Sequence, residues 1–350
     1  MLFIVLKKAK KPYFYLKSFF AINFDMNQKS PKILGLAPKH ILDEMDALNK
    51  VLDQGLPFKK LDHNILIATW NIRAFGGLTE KWEAEDSDSP KRDLHAVLAI
   101  AQIISRFDII AVQELKGNLK AFRHMLKLLG NHWSFILTDV SGGDEGNDER
   151  IGFLFDTRKV KLSGLACELV VPNKKAEEIK EGAFDRQFAR TPYAVGFKVE
   201  DKTFILVSAH VLYGKHASER EGELTAIAKW LREWASSMKS FDQSLILLGD
   251  FNIDRMGDPR YDAFVSSGLS VPENLWNVRR TLIDNQTKFY SQIAWFENQN
   301  KIPQLSIRYL NGGIFDFGPH IMKKARLSPF QLSWRISDHL PLWAEFSTRG

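Results

Sequence analysis

Several short, β-branched apolar runs of this chain stop abruptly at a carboxylate, an amide or an imidazole. Ile65 to Trp70 is apolar apart from Thr69 and runs into Asn71-Ile72-Arg73. Asp108 to Val112 runs into Gln113-Glu114, and Phe204 to Ala209 runs into His210. Leu245 to Leu248 runs into Gly249-Asp250-Phe251-Asn252, and Ser337-Asp338-His339 precedes the run Leu342 to Phe346. Runs this short and this continuously apolar read as strands buried on both faces. Such strands need a covering layer on each side, which leaves their ends at a rim. Polar groups at that rim are held rigidly, while the adjoining loops leave room for a ligand.

Amphipathic stretches lie between the strands. Residues 39–55 place Ile41, Met45, Leu48 and Leu52 at helical spacing, and Gly55-Leu56-Pro57 breaks the pattern. A helix is expected over Lys91 to Ile104, started by Ser89-Pro90. Another follows Asn118 as a cap and ends at Gly130. A capping box at Ser218-x-x-Glu221 opens a third, with Leu224, Ile227, Leu231, Trp234 and Met238 on one face. Ile151 to Phe155, Pro192 to Val199 and Tyr290 to Phe296 read as further strands. At about 150 residues per domain, 350 residues allow two domains or one large one. The mixture of strands and helices over 61–350 predicts a single layered α/β domain. Residues 1–60 read as a basic N-terminal extension with a short helix.

The first 25 residues admit three readings. MLFIV followed by KKAKK reverses the order of a secretion signal, although Lys7 to Lys11 before Tyr13 to Phe24 is a second way to draw one. A basic tail, or an extension upstream of a start at Met26, is the plainer reading. Lysines alternating with aromatics also suit a helix on a membrane surface. No apolar run reaches the roughly 18 residues of a membrane span. The expected location is cytoplasmic, with secretion or membrane-surface association as alternatives, and nothing in the chain calls for more than a monomer.

Composition excludes some chemistries. The single cysteine, Cys167, rules out an intramolecular disulfide framework and a cysteine-built zinc site, and it reads as a small strand hydrophobe. No serine sits in a nucleophile elbow and no glycine-rich phosphate loop opens a helix. The net charge of +6 is a mild basic excess that suits a polyanionic substrate.

Each polar strand end has a plain structural reading. Asn71 could cap a turn, Glu114 could pair with a lysine, Asp250 could serve its Gly-Asp turn, and Asp338 could cap another. Five such ends in one domain point elsewhere. Asn, Asp and Glu are hard oxygen ligands suited to Mg2+ or Mn2+. A metal at such a site neutralises charge on a phosphoryl oxygen, while a neighbouring Asp and His activate water and stabilise the transition state. The inventory reads as metal-assisted phosphoester hydrolysis.

The ordered set Trp70-Asn71, Gln113-Glu114, His210, Gly249-Asp250-Phe251-Asn252 and Ser337-Asp338-His339 resembles the endonuclease/exonuclease/phosphatase superfamily, the deoxyribonuclease-I-like fold. Glu149-Arg150 and Arg190-Thr191-Pro192 are supporting matches, and the resemblance spans roughly residues 62–348. It implies a four-layer α/β sandwich of two packed mixed β-sheets flanked by helices. It also implies roles. Glu114 is the main metal ligand, with Asn71 beside it and Asp338 contributing. Asp250 orients or deprotonates water, Asn252 holds a phosphate oxygen, His339 contacts the scissile phosphate, and His210 is a second active-site histidine. Arg190 and Arg150 are substrate-contact candidates. One position departs from the pattern: Ser291 stands where the family has an Asp supporting the final histidine. A hydroxyl can orient an imidazole but cannot stabilise its cation as a carboxylate does. Asp316 is an alternative source of that carboxylate.

The leading expectation is therefore a Mg2+-dependent nuclease acting on DNA or RNA, with Lys116, Arg150, Arg190 and Arg255 near the site. A lipid-directed phosphodiesterase or phosphatase, like sphingomyelinases and phosphoinositide phosphatases, is the alternative, and a non-catalytic binding module is a third. Trp82 is a candidate for stacking on a base. His40, His63 and His95 read as surface or helix residues, and the glycine-rich stretch 141–148 as a mobile loop.

Overall fold

The computed structural model describes residues 37–142, 146–170, 188–213, 217–237, 244–283, 288–298 and 300–349, and for 217–219 and 236–237 the backbone alone. The Lys/aromatic N-terminal segment, the centre of the glycine-rich loop, the Ser218 cap and Met238 lie outside that description. Two six-stranded sheets pack face to face. The first has the order β11-β12-β1-β2-β4-β3 and the second β5-β6-β7-β8-β10-β9. The first is built from β1 (Asn64–Phe75), β2 (Ile109–Lys116), β3 (Trp133–Leu137), β4 (Glu149–Asp156), β11 (Arg308–Ile314) and β12 (Leu342–Ser347). The second uses β5 (Lys161–Glu168), β6 (Tyr193–Val199), β7 (Lys202–His210), β8 (Leu245–Asp250), β9 (Leu269–Ser270) and β10 (Ser291–Phe296). Helices α1 (Lys39–Gly55), α2 (Leu94–Ile104), α3 (Lys120–Leu129), α4 (Ala217–Ser237), α5 (Pro259–Val265) and α6 (Pro329–Ser333), with two short 3-10 turns at Glu273–Leu275 and Lys323–Ala325, complete the described elements. This is the four-layer mixed sandwich that the resemblance implies.

The alternation of β1 explains the layering. Ile65 and Ile67 face the second sheet, in a core shared with Phe153, Phe197, Leu247 and Ile293. Leu66, Ala68 and Trp70 point the other way, into a core shared with α1, α2 and α3. A strand with period-2 side chains and apolar residues at every position must be covered on both faces. Ile41, Met45, Leu48 and Leu52 of α1 are buried in that second core. The helix expected inside the N-terminal extension thus packs on the body of the sandwich.

Two element starts differ from expectation. α2 begins at Leu94, not Lys91, because Asp93 is the cap: its carboxylate accepts the Ala96 N–H at 2.9 Å. At α3, Asn118 stands one position before the cap residue Leu119, and its Oδ1 accepts the Lys120 N–H at 3.0 Å. Strands β3, β9 and β11 have no expected counterpart, and β5 is longer than the stretch around Cys167. β3, β5, β9 and β11 are the sheets' four edges, and exposed residues in β5 and β11 blur the apolar signal.

Candidate active site

The polar residues predicted at strand ends converge on one rim of the sandwich. β1 and β2 run parallel with Asn71 opposite Gln113, and β7 and β8 run parallel with His210 opposite Asp250. β4 and β10 run antiparallel to their neighbours, so their first residues reach the same rim: Glu149 lies opposite Lys116 and Ser291 opposite Asp250. Gln113 ties the two sheets together just beneath. Its Nε2 donates to Ser208 Oγ at 3.0 Å and to Thr69 Oγ1 at 3.1 Å, with all three side chains buried.

Asn71 is the hub. Its Nδ2 donates to Glu114 Oε1 at 3.0 Å and to Asp250 Oδ2 at 2.8 Å, joining a carboxylate from each sheet. Its Oδ1 is buried without a hydrogen-bond partner among the described residues. Glu114 Oε2 accepts the Ala74 N–H at 2.8 Å. Glu114, Ala74 and Asn252 all have left-handed backbone, with φ of 62°, 45° and 50°. Such conformations cost roughly 1–3 kcal/mol each for non-glycine residues and persist where the surroundings impose them. Gly249 serves a different constraint: a Cβ there would lie 2.0 Å from the Ala209 carbonyl oxygen. Only glycine lets β8 pass β7 this closely, which explains the first letter of the Gly-Asp-Phe-Asn motif.

Asp250 sits between two imidazoles. Its Oδ2 lies 3.5 Å from His339 Nε2 and 3.8 Å from His210 Nε2. Burial pushes the Asp250 carboxyl up, but the two imidazoles, the Asn71 amide and the Asn252 N–H outweigh it and hold the group below the usual carboxylate range. Glu149 backs His210 from the other side: Oε2 is 3.3 Å from His210 Nδ1 and 2.8 Å from Arg190 Nε, and Oε1 is 2.8 Å from Lys116 Nζ. Burial again raises the Glu149 carboxyl, and these partners drive it down. The result is a line Glu149–His210–Asp250–His339 crossing from the first sheet to the second.

The remaining predicted residues are placed less uniformly. Asn252 uses one amide hydrogen on the Val211 carbonyl at 2.7 Å. Arg190 reaches the cluster through Glu149. Arg150 donates to the Lys116 carbonyl at 3.2 Å. Asp338 stands outside the Asn71–Glu114–Asp250 network and pairs with Arg73 Nη1 at 3.7 Å. Ser291 Oγ lies 3.4 Å from His339 Nδ1, so the hydroxyl occupies the supporting position. Asp316 instead lies 3.5 Å from Arg279 Nη1 and accepts the Gly318 N–H. Trp82 packs partly buried against the helix-side core. His95 is buried beside Glu44 at 2.8 Å, while His40 and His63 pair with Glu83 and Asp62 nearer the surface.

Two buried arginines that the strand-end pattern does not reveal hold these segments in place. Arg92 donates to the carbonyls of Arg73, Ala74, Arg335 and Ile336 at 2.6–3.1 Å. It thereby clamps the tail of β1 to the approach of Ser337-Asp338-His339. Arg280 donates to the carbonyls of Leu275, Val278 and Ser291, with its guanidinium 3.8 Å above the Phe289 ring. Burial lowers Arg92 to about 10 and Arg280 to about 9, still charged at neutral pH. The Arg280 carbonyl accepts the Leu340 N–H, and Leu282 N–H donates to the Asp338 carbonyl. Trp70 Nε1 holds the His339 carbonyl at 2.8 Å, and Ser337 Oγ donates to the Asn71 carbonyl at 2.6 Å. Isolated arginines in a sequence carry no signal for this role, because the partners are backbone carbonyls supplied by distant segments.

The hard-oxygen character of this rim fits a divalent cation. The orphaned Asn71 Oδ1 and the Glu114 carboxylate offer one neutral and one anionic oxygen. Among the described residues no cluster of three or more His, Cys, Asp or Glu side chains forms an all-protein cage.

A two-sheet α/β sandwich with this cluster at its rim defines a deoxyribonuclease-I-like hydrolase. The model described as Endonuclease/Exonuclease/phosphatase family matches residues 68–300, more than half of the chain, and the chain belongs to that family. A deoxyribonuclease of Thioalkalivibrio sp. (strain K90mix) is 24% identical over 298 residues, covering 81% of this chain and 71% of that protein. Solved structures share the fold. A Bacteroides thetaiotaomicron mannosyl-6-phosphatase aligns at TM-score 0.54 and 19% identity, covering 81% of this chain and 99% of that one. The human Nocturnin catalytic domain aligns at TM-score 0.53 and 18% identity, covering 83% and 97%.

Proposed function

We propose that this hydrolase is a Mg2+-dependent nuclease. The observation that carries the reading is Asn71 bridging Glu114 and Asp250 while its own Oδ1 stays unsatisfied. The similarity to a deoxyribonuclease supports a nucleic-acid substrate. So does a surface pocket of about 380 Å3 beyond the end of β2, lined by Lys120, Arg123, His124 and Lys127 and by one carboxylate, Glu80. The lipid-directed alternative rests on residues 1–25, which lie outside the described structure.

Asn71 and Glu114 would hold the cation, with Asp338 at the rim. When bound, the metal supplies Lewis-acid neutralisation of charge on a phosphate oxygen. The chain supplies the rest. Asp250 stays ionised and accepts a hydrogen bond from the attacking water, aligning it opposite the leaving oxygen. A carboxylate held below its usual range is a weak base, so orientation is its larger contribution. His339 and His210 offer N–H donors where charge builds on the phosphate, and the second Asn252 amide hydrogen adds another. Arg150 is a contact for the flanking strand, and Arg190 acts on His210 through its pairing with Glu149. Burial of Asp250, His210 and His339 strengthens each of these interactions relative to bulk water.

Nicking of supercoiled plasmid tests the reading. Wild-type protein nicks in Mg2+ and not in EDTA, and Glu114→Ala removes the activity while leaving the thermal unfolding transition in place. A folded wild-type protein that cuts neither DNA nor RNA overturns it.

A further inference from the structure

Beside the cluster lies a surface element the mechanism does not use. α6 presents Phe330, 57% exposed, and is followed by Trp334, 43% exposed. Their rings stand nearly perpendicular, at 82° with centroids 6.5 Å apart. Arg73 fills the corner between them, its guanidinium carbon 3.7 Å from the Trp334 ring centre and 5.8 Å from that of Phe330. The same guanidinium lies 3.7 Å from Asp338 and donates to Ser333 Oγ at 2.8 Å. Arg73 N–H donates to Ser337 Oγ, which also accepts the His339 N–H. The aromatic pair is thus one side chain away from the catalytic rim.

The element is rigid. Ser328 and Gln331 form a reciprocal capping box, Pro329 sets the first turn, and Leu332 and Ser333 are buried beneath. Two large rings held outward on a capped turn are preorganised contact area rather than a failed core. The cation held between the rings is Arg73, the exposed polar residues Ser328 and Gln331 flank Phe330 on the same turn, and exposed Lys323, Lys324 and Arg326 come just before it in the chain. Two rings with a guanidinium between them suit a strand carrying both bases and phosphates. An acyl surface wants continuous apolar area, whereas a guanidinium stands between these two rings.

We infer that Phe330, Trp334 and Arg73 form a stacking subsite for an unpaired base flanking the scissile phosphate. The inference rests on the nuclease reading and adds to it a preference for strands whose bases are free of a duplex. Arg73 is a contact shared between the base and the rim. Phe330 and Trp334 are specificity residues.

The test uses the full chain with two substrates, a short single-stranded DNA and a strand of the same length built wholly of tetrahydrofuran abasic units. F330A/W334A is expected to raise KM on the base-bearing strand by roughly 5- to 150-fold with kcat nearly unchanged. The abasic strand is expected to show a high KM already and no further rise in the variant, and W334F is expected to recover most of the loss. An equal rise on both strands, or none on the base-bearing strand, overturns the inference. If wild-type protein nicks plasmid or cuts RNA but cuts neither strand, the inference is overturned; if it cuts no DNA or RNA at all, the nuclease reading fails. Anisotropy of a labelled base-bearing strand then decides the platform alone: binding lost in F330A/W334A supports it, and unchanged binding overturns it. Binding to phosphatidylserine vesicles that only the double variant loses assigns the patch to a membrane and also overturns it.

Discussion

At the residue scale, Ser291 is the substitution with the clearest consequence. Its hydroxyl reaches His339 Nδ1 at 3.4 Å, a long and neutral contact. Such a contact contributes about 1 kcal/mol, against about 1.5–3 kcal/mol for a hydrogen bond to a charged group. Orientation of His339 falls largely on other groups: Trp70 on its carbonyl, Ser337 on its N–H, and Asp250 beside its Nε2. Ser291→Ala is therefore expected to lower kcat by less than about tenfold. Steady-state kinetics on plasmid or oligonucleotide measure this, and a loss approaching that of Glu114→Ala would show the hydroxyl to be indispensable. Asp250 and Glu149 make the complementary point. Both are buried carboxylates, yet imidazole and cationic partners keep them ionised, because a charge in low dielectric is tolerated only with such partners.

At the element scale, the site depends on segments that contact substrate nowhere. Arg92 binds four carbonyls from two chain segments, and those carbonyls would be left unpaired without it. Each orphaned buried acceptor costs about 1–3 kcal/mol. Arg92→Lys keeps the charge but presents donors from a single point, so it cannot serve both segments. It is expected to destabilise the fold by on the order of 3 kcal/mol, read by urea denaturation. Residual folded enzyme should also lose activity, since the β1 tail and the Ser337-Asp338-His339 approach share this clamp. Helix α1 belongs to the same scale. Leu48 is fully buried in the helix-side core. Leu48→Ala is expected to cost about 2–5 kcal/mol in the main unfolding transition. A separate low-temperature transition with the main one unmoved would show that α1 folds apart from the sandwich.

At the scale of the whole molecule, a charge network away from the site sets part of the acid sensitivity. Asp156, at the end of β4, is 2% exposed and lies 2.9 Å from Lys59 and 2.6 Å from Arg158. Burial raises its carboxyl, but Arg158 and Lys59 lower it further, so the net shift is downward. A depressed folded value means the stabilisation is complete above the unfolded value of about 3.9 and is lost as pH falls through the folded one. Wild-type stability is expected to decline steeply below about pH 4, and Asp156→Asn, less stable at neutral pH, to show a shallower decline there. Chemical denaturation at several pH values measures both slopes, and parallel curves would remove Asp156 from the account.

Much of this whole-molecule architecture is legible along the chain. Continuous apolar runs such as Ile65 to Ala68 and Leu245 to Leu248 declare strands buried on both faces, because every side chain of a period-2 element must find cover. The polar residues that end those runs mark a rim, their chemistry points to phosphoester hydrolysis, and their ordered motifs carry the resemblance to the family. The edge strands β3, β9 and β11 are illegible and β5 is legible only around Cys167, since a strand with one free edge and half-exposed residues has no strict pattern to obey. So are the clamping roles of Arg92 and Arg280, whose partners are carbonyls brought in by tertiary packing. The stacking corner of Arg73, Phe330 and Trp334 is likewise invisible along the chain: 257 residues separate Arg73 from Phe330. Local sequence determines which residues carry chemistry and which strands carry them. Only the tertiary structure decides which of those residues meet, because the distances that make a site are set by sheet pairing and layer packing between segments far apart in the chain.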